Sequence, residues 1–568
     1  MCGISGVFNF NGQPVKLNIL KDMADSMAHR GPDGDGFWIN ESHDLGFAHR
    51  RLAIVDLSDQ GKQPMHYNDR YTITFNGEIY NYLELRKDLE KVGYQFKTHS
   101  DTEVILAAFD FKKERCLDDF DGMFAFAIWD EREKRLFCAR DRFGEKPFHY
   151  YFDDNTFVFS SEIKSIYRAG VRKEVDADKV NIFLATGESE FYDQTFFKNI
   201  QKLPQAHYSW IQNGKMSLHR YYNVIQEEKH SYRNDSEYSE RFTELLTISL
   251  KRRMRSDVPI GSSLSGGLDS SGIVSLLHKI DPTLDYKLFS ARFNDPNKDE
   301  GKWMQYVVDQ VKHPHHNIWV EPEAILENIN DILWHHESPI GSTSVCAQYL
   351  LMDVIKEQNT KVILDGQGAD EILAGYGHYR YMYLYDELYN YQFKNYFNQK
   401  KIYKSIYGLD LNTGYFPVIN LYLSKLLYPG KSNTPLYRSM KEWLKFDTTY
   451  NLPLLLSYAD RNSMSHGIEV RLPFLFHELV DYALSLPVSQ IYRDSVTKVV
   501  FRNALKNVAP EPIVNRMDKL GFAPPQDKWM QHFGIAEHNE LKEQGFSYSS
   551  NPWRNYITHK FLEMAKSL

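Results

Sequence analysis

Cysteine is scarce. The 568 residues hold only Cys2, Cys116, Cys138 and Cys346, and no two of them are close together. That spacing excludes a disulfide framework and a zinc knuckle. Long apolar runs are also missing: a stretch such as Met123 to Trp129 has the length of a strand and falls far short of a membrane span. The N-terminus has neither a basic n-region nor an apolar h-region, so a cytoplasmic location and no membrane partner are expected. Positive charge is not in excess. A net charge of -8 and a pI near 6.2 argue against nucleic acid or an anionic membrane as the main partner. The histidines lack metallopeptidase spacing, because His336-Glu337 is followed by Ile340 where the second histidine is required, and they are expected to be structural. Two common nucleotide motifs are absent as well. Gly430-Lys431-Ser432 has Lys425 where a Walker A loop needs its first glycine, and Gly366-Gln367-Gly368 runs into Ala369, Asp370 and Glu371 instead of completing a dinucleotide fingerprint.

What is present begins with Ser263-Leu264-Ser265-Gly266-Gly267-Leu268-Asp269-Ser270-Ser271, set between apolar Val258 and Ile260 and an apolar-periodic segment through Ile273, Val274, Leu276 and Leu277. Strand, tight glycine turn and helix is the expected order. It gathers backbone N–H groups and the positive end of a helix dipole at one point, a place to hold phosphate. Asp269 beside a polyphosphate makes sense through a bridging divalent cation, so the stretch reads as a Mg-nucleotide site. The pattern Ser-Gly-Gly-x-Asp-Ser resembles the pyrophosphate loop of the ATP pyrophosphatases, which cleave ATP to AMP and pyrophosphate to adenylate an acceptor. The plain alternative is a turn of ordinary Ser/Gly composition.

Cys2 follows the initiator methionine. Once Met1 is removed, thiol and α-amine lie on one residue, and an amine with a pKa near ~8 can serve as the thiol's base. Behind it come His29-Arg30-Gly31-Pro32-Asp33-Gly34, Arg51-Leu52-Ala53-Ile54-Val55-Asp56, Phe75-Asn76-Gly77-Glu78-Ile79-Tyr80-Asn81 and Ser100-Asp101-Thr102-Glu103. In order and rough spacing these resemble the class II glutamine amidotransferase domains, which are similar to N-terminal nucleophile hydrolases. With the pyrophosphatase loop downstream, the chain resembles the glutamine-hydrolysing asparagine synthetases along its whole length.

The resemblance implies roles that suit the residue types. Cys2 would be the nucleophile, and the Asn76 side chain with the Gly77 N–H would hold the oxyanion. Arg51 would take the α-carboxylate of glutamine and Asp101 its α-ammonium, with Glu78 helping and Leu52, Ala53, Ile54 and Val55 completing the binding stretch. Arg51 is preferred to Arg50 only through the family pattern Arg-Leu-x-Ile-Val. ATP would contact Leu264, Ser265, Gly266, Gly267, Asp269, Ser270, Ala291, Asp365, Gly366 and Lys498, with Asp269 and Asp370 sharing Mg2+ and Lys498 neutralising phosphate. Asp460 to Leu475 resembles the segment lining the acceptor side.

The expected fold is α/β and α+β. An αββα sandwich of the N-terminal nucleophile hydrolase kind over 1–225 is followed over 240–568 by a doubly wound parallel sheet of the ATP pyrophosphatase kind with extra helices. The polar stretch Gln226 to Ser239 is the expected junction, and Tyr376 to Tyr428, rich in tyrosine and leucine, is expected to form helices over the sheet. The implied reaction uses glutamine, ATP and aspartate, with ammonia passing between the two sites. A homodimer is left open, as is another acceptor such as a sugar acid, or a sensor without catalysis. One departure stands out. Where the best-known members carry glutamate, residue 367 is glutamine, assigned to intermediate formation; it cannot take a proton at neutral pH. Asp365, two residues before it on an extended turn, could present the missing carboxylate, or could merely brace that turn.

Overall fold

The computed structural model describes residues 2–224, 232–411, 419–420, 423, 426–427, 437–518, 521–533, 541 and 545–568. The first domain is built on strands β1 (Gly3–Asn9), β2 (Gly34–Ile39), β3 (Leu45–Arg51), β4 (Met65–Tyr67), β5 (Tyr71–Ile79), β6 (Gly122–Asp130), β7 (Arg135–Arg140), β8 (His149–Phe152), β9 (Thr156–Ser160), β10 (Gln201–Lys202), β11 (His207–Gln212) and β12 (Lys215–Arg220). They form two antiparallel sheets, ordered β10-β8-β9-β1-β3-β2 and β12-β11-β7-β6-β5-β4. Ile4, Phe47, Ala125, Trp129, Leu136 and Phe157 meet between the sheets as one apolar cluster. Helix Leu17–Asp25 buries Leu20, Met23 and Ala24 against the outer face of the first sheet. Helix Asp101–Lys112, capped by the Ser100 hydroxyl on the Thr102 N–H at 3.2 Å, covers the second through Val104, Ile105 and Ala108. The result is the expected αββα layering.

The second domain centres on a parallel sheet of β13 (Ile260–Ser263), β14 (Lys287–Arg292), β15 (His315–Trp319), β16 (Val362–Leu364) and β17 (Glu469–Arg471), in the order β15-β14-β13-β16-β17. The chain leaves β13 toward β14 on one side and returns to β16 on the other. Strand order therefore reverses between β13 and β16, and the loops leaving their carboxyl ends, 264–267 and 365–368, open the crevice where doubly wound sheets bind ligands.

One boundary differs from expectation. Helix Asp235–Arg253 starts inside the stretch expected to be the junction. Asn234 accepts the Glu237 N–H at 3.1 Å, so the polar run is the capped first turn of a helix. Residues 226–231 of that stretch lie outside the described residues. Within 376–428, helices His378–Tyr389 and Phe393–Tyr407 form and pack together through Leu384, Tyr396 and Leu411; most of 412–428 lies outside the described residues. Among the described residues, no helix is long and apolar enough to cross a membrane.

The two domains meet through buried charge. Glu162 accepts from Lys164 at 2.6 Å, Arg30 at 3.0 Å, His29 at 3.1 Å and Arg461 at 3.2 Å. Arg30 also reaches Asp460 at 3.0 Å, Lys146 reaches Asp460 at 3.4 Å, and Arg461 reaches Glu337 at 3.0 Å. Glu337 in turn accepts the backbone N–H groups of Ile163 at 2.8 Å and Lys164 at 2.6 Å. Asp460 and Arg461 lie on helix Leu452–Met464 of the second domain, so the Glu162–Arg461, Arg30–Asp460 and Lys146–Asp460 pairs and the Glu337 bonds to the Ile163 and Lys164 N–H groups tie the domains together. The C-terminal helix Pro552–Ser567 folds back on the first domain, with Phe561 against Phe196 and Phe197.

Removing one ion from a buried pair leaves its partner charged and unsolvated, at a cost of about 3–5 kcal/mol. Arg30→Ala is therefore expected to lower the thermal unfolding midpoint and to speed proteolysis at the seam, with Arg30→Lys recovering only part of the loss. A midpoint equal to that of the parent in both variants would contradict this account of the seam.

Candidate functional sites

The first site lies in the first domain where Cys2, immediately before β1, meets Asn76 of β5. Cys2 is buried, and its backbone nitrogen donates to Asn76 Oδ1 at 2.9 Å. This fixes the amide of Asn76 and leaves its Nδ2 buried with no partner among the described residues, a donor in reserve. At Gly77 the backbone has φ +149°, and a Cβ there would sit 2.0 Å from the Met123 carbonyl oxygen, so only glycine fits beside Asn76. Burial pushes the Cys2 thiol up, against the pull of the chain terminus, the Leu52 backbone and the Arg51 guanidinium. Met1, whose removal is expected, lies outside the described residues.

Neighbouring Arg50 and Arg51 point to opposite faces of β3. Arg50 pairs with Asp25 and donates to the Ala24 carbonyl at 3.2 Å, whereas Arg51 lies on the Cys2 side, held by the carbonyls of Asp56 and of Ser58, the latter at 2.9 Å. Leu52 and Ile54 turn their side chains into the core of the second domain, so what they can offer a ligand is backbone. The Ala53 N–H is held by Asp33 at 2.8 Å, and Val55 is half-buried.

Glu78 and Asp101 are both buried. Burial, then Asp101 and Glu469, push Glu78 well above the ordinary carboxylate range. Burial and the Glu469 charge push Asp101 up to about 6, although the Ile79 N–H donates to it at 2.9 Å. Glu469 and Arg471, which pair at 2.6 Å, come from β17 of the second domain, and Arg471 lies 4.0 Å from Glu78. The second domain thus supplies charges to the first site. Arg30 makes a further link: its Nε donates to the Cys2 carbonyl at 3.1 Å while the rest of its guanidinium is held by Glu162 and Asp460.

The second site is a cavity of about 760 Å³ at the switch point. Leu264, Ser265, Gly267, Asp269, Ser270, Ala291, Asp365, Gly366, Gln367, Asp370 and Lys498 all line it. Gly266 does not. With φ +75° it turns toward the neighbouring helix, where a Cβ would lie 2.8 Å from that of Trp303, and its carbonyl accepts from Arg516 at 3.0 Å. A side chain would not fit there, so glycine is needed for the shape of the loop. Helix Leu268–Ile280 begins at this loop and aims its N-terminus at the cavity.

Lys498 joins the two halves of the site. Its Nζ is 2.5 Å from Asp269 Oδ1 and 2.5 Å from Asp370 Oδ1. Burial alone would lower the lysine pKa, and the two carboxylates outweigh it and raise it. Gly375 makes the space for this group, since a Cβ there would fall 1.6 Å from Asp370 Oδ1. Asp365, raised by burial, accepts the backbone N–H of Gln367 at 3.1 Å, which braces the turn, yet both residues face the same cavity.

Asp460 to Leu475 is placed differently from expectation. Asp460, Arg461, Glu469 and Arg471 face the domain seam, and the cavity is reached from this helix one turn earlier, by Leu455 and Tyr458. Two of the histidines are held by side chains: His315 meets Ser290 Oγ at 2.7 Å and His336 meets Asn462 Oδ1 at 2.8 Å. Cavity residues missing from the sequence reading include Gln348, Tyr376, Arg380, Arg502 and Arg516. Arg502 could have been found, since it lies one helical turn beyond Lys498; Arg516 and Gln348 carry no local signal.

Comparison with known proteins agrees with this division. Residues 1–222 match the glutamine amidotransferase domain family, and 241–564 match the asparagine synthase family. Asparagine synthetase [glutamine-hydrolyzing] 3 of Bacillus subtilis is 32% identical over 91% of this chain and 86% of its own length. Asparagine synthetase [glutamine-hydrolyzing] 1 of the same organism is 30% identical over 94% and 88%. A putative asparagine synthetase 2 of Methanocaldococcus jannaschii is 36% identical over 66% of this chain and 76% of its own. A nucleophile site and an ATP-pyrophosphatase cavity in one chain, matched across most of its length by these relatives, place it in the family of glutamine-hydrolysing asparagine synthetases.

Proposed function

We propose that this enzyme converts L-aspartate, L-glutamine, ATP and water to L-asparagine, L-glutamate, AMP and pyrophosphate through a β-aspartyl-AMP intermediate. The observation that carries this reading is the meeting of Asp269 and Asp370 on one Lys498 ammonium at the mouth of both glycine turns. The domains concerned are 1–225 for glutamine hydrolysis and 240–568 for synthesis. The first site removes ammonia from glutamine. The α-nitrogen of Cys2, positioned by Asn76 Oδ1, takes the thiol proton, and Asn76 Nδ2 with the Gly77 N–H receives the oxyanion. Arg51 and Asp101 hold the amino-acid end of glutamine, with Glu78 beside them.

At the second site the N–H groups of the 264–267 loop and the Lys498 ammonium take the phosphates, and Ala291 lies beside the adenine. The two carboxylates that converge on Lys498 suit a magnesium ion, which is held by one or two carboxylates and completed by phosphate oxygens. Bound by Asp269 and Asp370, Mg2+ would neutralise charge on the departing pyrophosphate. The chain's own residues orient the α-phosphate toward the acceptor carboxylate and keep water out. Ammonia must cross within the protein, because free in neutral water it would be protonated and lose its lone pair. A cytoplasmic location and a homodimer belong to the same reading, the latter open to test by sizing the full chain.

Cys2→Ala tests the two-site model. It should abolish glutamine hydrolysis and glutamine-dependent synthesis while leaving synthesis from added ammonium. Loss of both routes in a folded variant would refute it.

The glutamine site should also show its carboxylates in a pH profile. Asp101 binds an ammonium only when ionised and its pKa is raised to about 6, so kcat/KM for glutamine hydrolysis should fall as pH drops through about 6. A profile flat down to pH ~4.5 would remove Asp101 from ammonium binding.

Asp365→Asn distinguishes a base from a brace. If Asp365 takes the proton of the attacking ammonia, aspartate-dependent pyrophosphate release persists while amide formation slows by about 10²-fold or more. Normal amide formation in the variant would leave Asp365 with its bond to the Gln367 N–H as its only role. An unmodified enzyme that releases no pyrophosphate with aspartate, but does so with another carboxylate, would change the acceptor.

A further inference from the structure

A second cavity, of about 260 Å³, opens at the domain seam and shares no lining residue with the nucleotide cavity. The first domain contributes Arg142 and Arg220 to its wall, and the second contributes Arg438 and Lys445. Glu442 is the one acidic lining residue. An excess of cations on a small concave surface is unexpected in a chain of net charge -8. It is also not neutralised locally. Among the described residues no carboxylate lies within ion-pair distance of Arg220, Arg438 or Lys445. Arg142 is buried: its terminal nitrogens donate to the carbonyls of Phe120, Leu117 and Asp118, and its Nε is left without a partner. Arg438 is held flat over Phe446 at 4.6 Å, which fixes its guanidinium at the rim before any ligand arrives.

We propose that this seam cavity binds a small multivalent anion, bearing phosphate or clustered carboxylate groups, as a regulatory ligand distinct from the substrates. Guanidinium forks suit both anion types, and like charges brought together at low dielectric are relieved by an anion between them. The cavity wall also leads to the nucleotide site. It includes Thr448 and Thr449 of the single π-turn Asp447–Asn451, a local geometry frequent at functional sites. Gln205 of the first domain donates to the Thr449 carbonyl at 2.7 Å, and Thr448 Oγ1, which donates to the Leu444 carbonyl at 2.8 Å, lies 3.4 Å from the Glu371 carbonyl. Glu371, next to Asp370 in sequence, in turn accepts from Tyr376, which lines the nucleotide cavity. An anion drawn against Lys445 and Arg438 therefore acts on a turn that contacts both domains and the magnesium-side helix.

The test is calorimetric titration of the full chain with inorganic phosphate and, separately, with citrate. Ionic strength is held constant, and the nucleotide cavity is filled with α,β-methylene-ATP. Saturable binding of at least one anion is expected. It should weaken at least tenfold in the double variant Arg438→Ala/Lys445→Ala and also in Arg220→Glu, whose position on an exposed strand keeps it apart from the packing of the seam. Phosphate binding alone assigns a phosphate-bearing ligand, and citrate binding alone a polycarboxylate. In the parent enzyme the bound anion should shift the KM for ATP, and the variants should lose that shift. No saturable binding of either anion to the parent, or unchanged affinity in both variants, overturns the site. Binding without any shift in KM overturns the regulatory role.

Discussion

Glu162 has been taken out of water together with Arg30, Lys164 and Arg461, and each of these ions is stable there only while the others are in place. Burying a charge costs several kcal/mol unless its partners follow it. The cluster therefore either assembles complete or not at all. Because Glu162 and Arg30 come from the first domain and Arg461, Asp460 and Glu337 from the second, completeness means that the domains are docked in one arrangement. Burial raises the cost of error here in a way that an apolar seam would not, since apolar faces slide with little penalty and ion pairs do not.

That constraint reaches both sites. Arg30 holds the Cys2 carbonyl with the same guanidinium that binds Glu162 and Asp460, so Cys2 is positioned by the seam. On helix Leu452–Met464, Tyr458 lines the nucleotide cavity two residues before Asp460, and its hydroxyl meets Ser189 of the first domain at 2.9 Å. Glu469 and Arg471 bring second-domain charge to Glu78 and Asp101. A glutamine site whose carboxylates are tuned from the synthetase domain, and a synthetase cavity braced by the glutamine domain, are parts of one machine rather than two enzymes in sequence.

Most of the fold could be read from the chain because its signals are local. Alternation gave the strands, and a glycine turn between an apolar strand and an apolar-periodic helix gave the loop at 264–267. The residues gathered around Cys2 and along the nucleotide cavity come from short contiguous motifs. What was not legible is non-local. Glu162, Glu337 and Asp460 look like surface carboxylates until folding places them beside Arg30, Lys164 and Arg461. Gly266 cannot be told from Gly267 by composition, yet of the two only Gly266 takes a φ of +75° and packs on Trp303 where a side chain would not fit. The polar run at 234–239 hid a helix start, since capping residues and linker residues are the same types.

Ammonia freed at the glutamine site is proposed to pass through the docked domains to the nucleotide cavity without release to water. The test supplies amide-15N glutamine, ATP and aspartate at neutral pH with unlabelled ammonium held below the concentration at which the Cys2→Ala variant makes product, and reads the isotope in the product amide by mass spectrometry. A closed passage predicts product amide that keeps the 15N label in spite of the unlabelled pool. Label diluted to the isotopic composition of the bulk ammonium would contradict the claim and would mean that the two sites exchange ammonia through solvent.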